Sequence, residues 1–165
     1  MKILMTFLLL GLLAPLSAWA TDVKNFHYNQ AVQRLQQVID NGQYFLNRKQ
    51  EEFDKQAYAN RMRVCLDDLG VLLANVNEAG LALVNLADGT ADLGVLPSLS
   101  NDKQFSLLRR QLIFGLNNRV HSYCLQDSWG SMDNKTATLA DVDESVRLSV
   151  ETAKSLLALI AKASQ

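Results

Sequence analysis

The sequence predicts an all-α protein, an up-down-up-down four-helix bundle whose second and third helices are joined by a disulfide. Apolar residues recur at helical spacing in four segments, each of about 25 residues or more. Proline is almost absent after the first 20 residues, and the only two cysteines fall at matching heights on neighbouring predicted helices. Amphipathic helices with short connections are typical of such a bundle.

The first 20 residues have the three parts of a secretory signal. Lys2 precedes an apolar run from Ile3 to Leu13, and Ala18 and Ala20 provide the small side chains that signal peptidase requires. We expect cleavage after Ala20 and a single mature domain, residues 21–165, that is periplasmic or secreted. The alternative is a retained membrane anchor, but this apolar run is shorter than the roughly 20 residues that span a bilayer. We expect no membrane span after signal removal.

Charge excludes some classes of partner. The chain has 16 basic and 17 acidic residues, so loss of Lys2 leaves 15 basic and 17 acidic residues and a net charge of −2. The two signs are interspersed along the mature sequence. Nothing in this balance predicts a nucleic-acid partner or an anionic membrane surface.

The first helix is predicted over about residues 25–49. Asn41-Gly42 is a turn signal inside this segment. We place the first turn between Asn47 and Gln56, and the alternative is a break at Gly42 followed by one very long helix that starts before Glu51. The predicted apolar stripe is Phe26, Ala31, Val32, Leu35, Val38, Ile39, Phe45 and Leu46.

The second helix is predicted over about residues 54–87, where apolar positions alternate in steps of four and three, as in a heptad seam. Asp88-Gly89 closes it, because glycine readily adopts the left-handed conformation that ends many helices. The connection 88–101 is unusually apolar. We expect it to fold onto the end of the bundle, and the alternative is an exposed patch for a partner. Its apolar residues are Leu93, Val95, Leu96 and Leu99.

The third and fourth helices have clear starting signals. Asp102 is a predicted N-cap for a helix that reaches about Gln126. A polar turn, residues 127–135, follows it. Thr138 and Asp141 approximate a capping box, which predicts the start of a fourth helix that continues to the C-terminus.

The cysteines give an independent check on this arrangement. Cys65 lies 22 residues before Ala87, and Cys124 lies 22 residues after Asp102. At about 1.5 Å per residue, both are roughly 33 Å from the connecting turn of an antiparallel pair. We therefore predict a Cys65–Cys124 disulfide, which would stabilise the fold by roughly 4 kcal/mol in the chain-entropy model. The alternative is two separate buried thiols.

No motif predicts a catalytic, metal or cofactor site. Cys-x-x-Cys-His and paired Glu-x-x-His motifs are absent, and His27 and His121 fall at opposite ends of the predicted bundle. Gly-x-Ser-x-Gly and a Gly-rich phosphate loop are absent as well. We therefore predict no metal ligands, no cofactor and no catalytic residues.

Two further features are candidate partner contacts. Arg109 and Arg110 are adjacent cations on the third helix, although ordinary ion pairs on a helix surface also explain them. Trp129 and Met132 lie in a Gly/Ser-containing turn, where the indole either caps the core or stands out as an anchor for a partner. With the apolar residues of the connection 88–101, these four complete the predicted contact set.

These observations favour an exported, non-enzymatic binding or protein-interaction module. Its expected partner is another protein, in a chaperone-like, inhibitor or immunity role. The alternative function is a carrier of a non-covalent ligand such as haem, a metal or a lipid, with a cavity near Gly70, Gly80 and Gly115. An enzyme is the third and least favoured class, because no residue constellation supports one.

Overall fold

The computed structural model describes residues 26–47, 63–88, 96–125 and 137–165. Helix accounts for 92% of these residues, and they contain no strand. The all-α prediction is therefore confirmed. The predicted signal segment, residues 1–20, lies outside the described residues.

Five helices occupy the described ranges. α1 spans 26–46, and α2 spans Val64–Asp88 and opens with a π-helical turn at Val64–Leu69. α3 is a four-residue helix, Pro97–Ser100. α4 spans Lys103–Cys124 and α5 spans Leu139–Ala163.

α1 continues through Gly42, so the alternative prediction of a break at that residue is wrong. A Cβ atom at position 42 would lie 2.5 Å from Val150 Cγ2, which means that glycine permits a close approach of α1 to α5. The turn begins at Asn47, where the first turn was predicted to start. Glu51 lies outside the described residues.

One apolar core joins the long helices. Every helix contributes fully buried side chains, among them Leu35, Leu72, Leu99, Leu112 and Leu156. These positions recur at steps of three and four along each long helix, which is why a seam visible in the sequence becomes a buried stripe. The wider cluster also contains Val38, Leu69, Val76, Leu83, Leu86, Phe105, Leu116, Val142, Val146 and Ile160.

The predicted starts of the third and fourth helices are confirmed. The Asp102 carboxylate accepts hydrogen bonds from the backbone N–H groups of Gln104 and Phe105, at 2.8 and 3.0 Å. Thr138 and Asp141 form a capping box in which each side chain accepts from the backbone N–H of the other residue. Both arrangements satisfy donors that a helix leaves unpaired in its first turn.

The Cys65–Cys124 disulfide is confirmed. Its Cα atoms are 5.8 Å apart, within the range that the bond requires. The short helix α3 was not predicted, so the disulfide joins the second and fourth of five helices instead of the second and third of four. The π-helical turn that contains Cys65 was not predicted either.

Contacts at both ends show that α2 and α4 run antiparallel. Cys65 meets Cys124 at one end, and Asp88 meets Arg109 at the other. α4 and α5 also pack along their length, and the Ala137 N–H donates to Ser122 Oγ where α4 ends and α5 begins. α2, α4 and α5 therefore alternate in direction.

α1 is tied to the other helices by two contacts. Arg34 forms a salt bridge with Glu78 of α2, at 2.8 Å, and Gly42 lies against Val146 and Val150 of α5. These contacts place α1 beside both helices. The full up-down-up-down order of the four long helices stays a prediction.

The apolar character of α2 differs from what was expected of the mature chain. By length and composition alone, Val64–Asp88 is apolar enough to cross a membrane, contrary to the expectation that no mature segment would be. In the structure, 44% of its most apolar stretch is buried inside the protein, so packing accounts for part of its apolar character.

Candidate interaction surface

The structure places the predicted contact residues in three different situations. Leu93, Val95, Trp129 and Met132 lie outside the described residues. Leu96 and Leu99 are only 6% and 1% exposed and belong to the core, as expected if the connection folds onto the end of the bundle. Arg109 and Arg110 lie on α4 at this same end. Of the predicted set within the described ranges, only these two arginines lie beside an open surface.

Arg109 has a structural contact that Arg110 lacks. Its guanidinium donates to Asp88 at 3.1 Å, and the Ser100 hydroxyl donates to the same carboxylate at 3.0 Å. The hydrogen bond from Arg109 lowers the pKa of the Asp88 carboxyl, and the Ser100 hydrogen bond lowers it further against the opposing effect of burial. Asp88 thereby joins the end of α2 to α3 and α4.

Arg109 also lies over an aromatic ring. Its guanidinium carbon is 6.0 Å from the ring centroid of Phe105, a buried residue one turn earlier on α4. A cation at this distance is attracted by the ring face. Arg109 is thus held from two sides, whereas Arg110 is exposed and has no ion-pair partner among the described residues.

An open groove of about 600 Å³ lies along this end of α2 and α4. Four apolar side chains line it, and the two most prominent, Leu107 and Phe114, are 64% and 57% exposed. Large apolar side chains exposed singly are ordinary, but a cluster with a polar rim is typical of an interaction site. The lining residues are Val84, Asn101, Lys103, Ser106, Leu107, Arg109, Arg110, Ile113 and Phe114.

The rim of the groove is cationic. Among the described residues that line it, the three charged ones, Lys103, Arg109 and Arg110, are all positive and none is a carboxylate. Asp88 neutralises Arg109, whereas Lys103 and Arg110 have no salt-bridge partner within the described ranges. The surface thus combines an apolar floor, made of Val84, Leu107, Ile113 and Phe114, with two positive charges that no described residue neutralises.

α2 and α4 approach each other closely at Gly80. A Cβ atom there would lie 2.8 Å from Ile113 Cγ1 and 2.9 Å from its Cδ1, so the Ile113 side chain fills the space that a larger residue would need. The carrier alternative predicted a cavity near Gly70, Gly80 and Gly115. A Cβ atom at Gly70 would lie 3.2 Å from the Cys65 carbonyl oxygen, so neighbouring atoms are close at Gly70 as well. At Gly115, by contrast, a Cβ atom would have no neighbouring atom within 4 Å and would face open space.

The groove lining is apolar, polar and cationic. Its described residues include no histidine, cysteine or carboxylate, while Ser106 and Lys103 bring a hydroxyl and an amine. Within the described ranges no three potential metal ligands cluster together. The groove residues can supply apolar contact, hydrogen bonds and positive charge.

The other notable polar groups are isolated from the groove. His27 Nδ1 is buried and has no hydrogen-bond partner among the described residues. The centroid of its ring lies 5.5 Å from that of Phe26 in an edge-on contact. The Nδ1–H of His121 donates to the Asn117 carbonyl oxygen at 2.9 Å, within α4. Burial raises the pKa of the Asp143 carboxyl on α5, and the charge of Arg147 opposes that shift. None of these residues lines the groove.

Sequence reasoning identified the arginines but missed the apolar half of the surface. Leu107 and Phe114 fall outside the seam of α4, which contains Leu108, Leu112 and Leu116. Lys103, Leu107, Arg110 and Phe114 follow one another in steps of four, three and four, so they share a second face of the helix. Large apolar residues on a face that the core does not use were the available signal.

Comparison with protein-family models, with curated proteins and with solved structures finds no significant match to this chain.

Proposed function

We propose that this protein is an exported, non-enzymatic protein-interaction module that binds its partner through the groove of α2 and α4. The observation that carries this proposal is the clustering of exposed Leu107 and Phe114 with Lys103 and Arg110 around one groove. Aromatic, aliphatic and arginine side chains gathered in one place are the usual anchors of protein interfaces.

The attachment of α4 to its neighbouring helices supports the same proposal. α4 is fixed to α2 by a disulfide and to α5 by extensive packing, so the groove residues lie on a restrained helix. A surface that is ordered before binding loses less conformational entropy when a partner docks. Chaperone-like, inhibitor and immunity roles all fit such a surface and differ in the identity of the partner.

The proposed location is the periplasm or the extracellular space. A disulfide between residues 59 positions apart is in keeping with an oxidising compartment. The signal-like segment at residues 1–20 supports the same location from the sequence alone.

The experiment is a capture assay with two variants, each of which replaces a leucine of nearly equal exposure. Leu107 is 64% exposed in the groove, and Leu66 is 67% exposed near the disulfide. We expect the oxidised protein and its Leu66→Ser variant to retain one defined protein from an extract of the oxidising compartment. The Leu107→Ser variant should lose it. Equal capture by all three proteins, or capture by none, would overturn the proposal.

The up-down-up-down order predicted for the long helices requires α1 to run opposite to α2, and the contacts of α1 bear on that requirement. Gly42 lies at the same height along the bundle axis as Val146 and Val150 of α5. The Ala137–Ser122 contact relates α5 to α4, and the Gly80–Ile113 contact relates α4 to α2. Through these two contacts, the height of Gly42 corresponds to about residue 82 of α2. An antiparallel α1 then places Arg34 about 18 Å beyond Glu78, whereas a parallel α1 leaves about 6 Å. The Arg34–Glu78 salt bridge thus favours an α1 that runs with α2.

Spin labels at Asn29 and Asp67, both exposed, distinguish these directions. The up-down-up-down order predicts that they are about 40 Å apart or more, and a first helix parallel to α2 predicts less than about 20 Å. A single distance below about 20 Å would therefore contradict the up-down-up-down order and indicate that α1 runs parallel to α2.

A further inference from the structure

We infer that the groove of α2 and α4 takes an acidic amphipathic helix presented by the partner protein. This inference rests on the proposed function and adds the chemistry of the bound segment. The groove face of α4 extends from Lys103 to Phe114, which is about 16 Å, or three helical turns. A helix of similar length can lie in the groove between two helices.

The apolar floor sets the spacing that the bound helix needs. Leu107 and Phe114 are seven residues apart on α4, and Val84 and Ile113 flank them. A docked helix can cover such a strip with apolar residues at positions i, i+3 or i+4, and i+7, which share one face. Since Leu107 and Phe114 are more than half exposed, they offer contact area without unfolding of the core.

The rim sets the charge of the bound helix. Lys103 and Arg110 border the apolar floor. Among the described residues they have no salt-bridge partner, and none of the described lining residues is acidic. Carboxylates on the edges of a docked helix would meet these two cations. Charge complementarity of this kind selects the partner and speeds the encounter.

The same charges argue against a second copy of this chain as the occupant. In a symmetric dimer built on this face, the Lys103 and Arg110 cluster of one copy would meet the same cluster of the other. Like charges brought together at an interface oppose association. The apolar floor therefore needs a partner that differs from this chain in charge.

Two matched peptides test the inference directly. The first is a helical probe with leucine at positions i, i+3, i+4 and i+7 and glutamate along both edges, and the second has glutamine in place of each glutamate. We expect the glutamate probe to bind the oxidised protein at least about 10-fold more tightly than the glutamine probe, because only glutamate can form ion pairs with Lys103 and Arg110. Raising the salt concentration should reduce this difference, because exposed charge pairs are screened.

A second test reverses charges on the protein and measures the affinity of the same peptide probes. Arg110→Glu should weaken the glutamate probe at least about 10-fold and should strengthen a probe with lysine edges. The matched control is Arg63→Glu, an exposed cation at the opposite end of the α2–α4 pair, which should change neither affinity. Leu107→Ser should weaken both the glutamate and glutamine probes, since it removes apolar contact common to both.

Three results would overturn the inference. One is equal affinity for the glutamate and glutamine probes, another is an equal effect of Arg63→Glu and Arg110→Glu, and the third is binding to anionic lipid vesicles but to neither peptide. Failure of the proposed function differs from all three. If Leu107→Ser abolishes capture of a native partner while the probes show no charge preference, the function stands and the acidic helix does not.

Discussion

The two ends of the α2–α4 pair are held in different ways. At one end Cys65 and Cys124 join the helices covalently, with their Cα atoms 5.8 Å apart. At the other end the link is non-covalent, through Asp88, Arg109 and Ser100. This second end also has the groove with its cluster of exposed apolar and cationic side chains.

This difference separates stability from recognition. The disulfide closes a 59-residue separation in the unfolded chain and lowers the conformational entropy of that state, so it acts mainly on stability. The groove end is joined by a partly exposed ion pair, which contributes less free energy than the disulfide. Changes at the disulfide end should therefore affect unfolding most, and changes at the groove end should affect binding most.

Loss of the disulfide should have the largest effect. Replacing Cys65 and Cys124 together with serine should lower the free energy of unfolding by roughly 4 kcal/mol, because a 59-residue separation is no longer closed in the unfolded chain. Urea denaturation of the variant and the oxidised parent measures the difference. A loss below about 1 kcal/mol would show that the covalent end does not dominate stability.

A matched pair of glycine substitutions tests the packing near the groove. Gly80→Ala should destabilise the protein by about 1 kcal/mol, since the strain of moving Ile113 exceeds the gain in helix propensity. Gly115→Ala, which faces open space, should stabilise it by up to about 1 kcal/mol. Thermal unfolding reports both, and Ile113→Val should restore part of the loss in Gly80→Ala. Stabilisation by both alanines would contradict the close approach of the helices.

The Asp88 cluster should give a smaller, pH-dependent contribution. Because the folded-state pKa of Asp88 is lowered from 3.8, its stabilisation is fully present above that unfolded value and is lost as the pH falls through the lower folded-state pKa. The Asp88 side chain is 42% exposed, so we expect less than about 1 kcal/mol. The difference in unfolding free energy between the parent and Asp88→Asn, followed from neutral to acidic pH, measures it. A difference that stays constant into strong acid would contradict this origin.

The exposed leucines should have the smallest effect on stability. Leu107→Ser and Leu66→Ser each remove a side chain that is about two-thirds exposed, so each should change the free energy of unfolding by less than about 0.5 kcal/mol. Denaturation of the two variants side by side checks this. A large loss for Leu107→Ser alone would mean that this leucine is part of the core packing and would weaken its use as a probe of binding.

Much of the fold could be predicted because its sequence signals are local. The heptad seam and the caps at Asp102 and Thr138 are local patterns, and counting residues from predicted helix ends placed Cys65 level with Cys124. Each of these signals depends on spacing within one helix or one hairpin. The all-α class, the disulfide and the starts of α4 and α5 followed from them.

Other features depend on contacts between distant segments, which spacing does not reveal. Gly42 was interpreted as a turn signal, but Val150, more than a hundred residues later, explains it through close packing. The π-helical turn at Val64–Leu69 and the helix at Pro97–Ser100 had no distinctive pattern. Leu107 and Phe114 were not predicted because they lie outside the heptad seam of α4, the pattern from which the buried residues were predicted.

The groove end of α2 and α4 should contact a partner, and the disulfide end should not. A photo-crosslinking amino acid placed at position 107 or at position 66 of the exported protein tests this separation in intact cells. We expect one discrete intermolecular adduct from position 107 and none from position 66. The same adduct from both positions, or only an intramolecular crosslink from position 107, would contradict it.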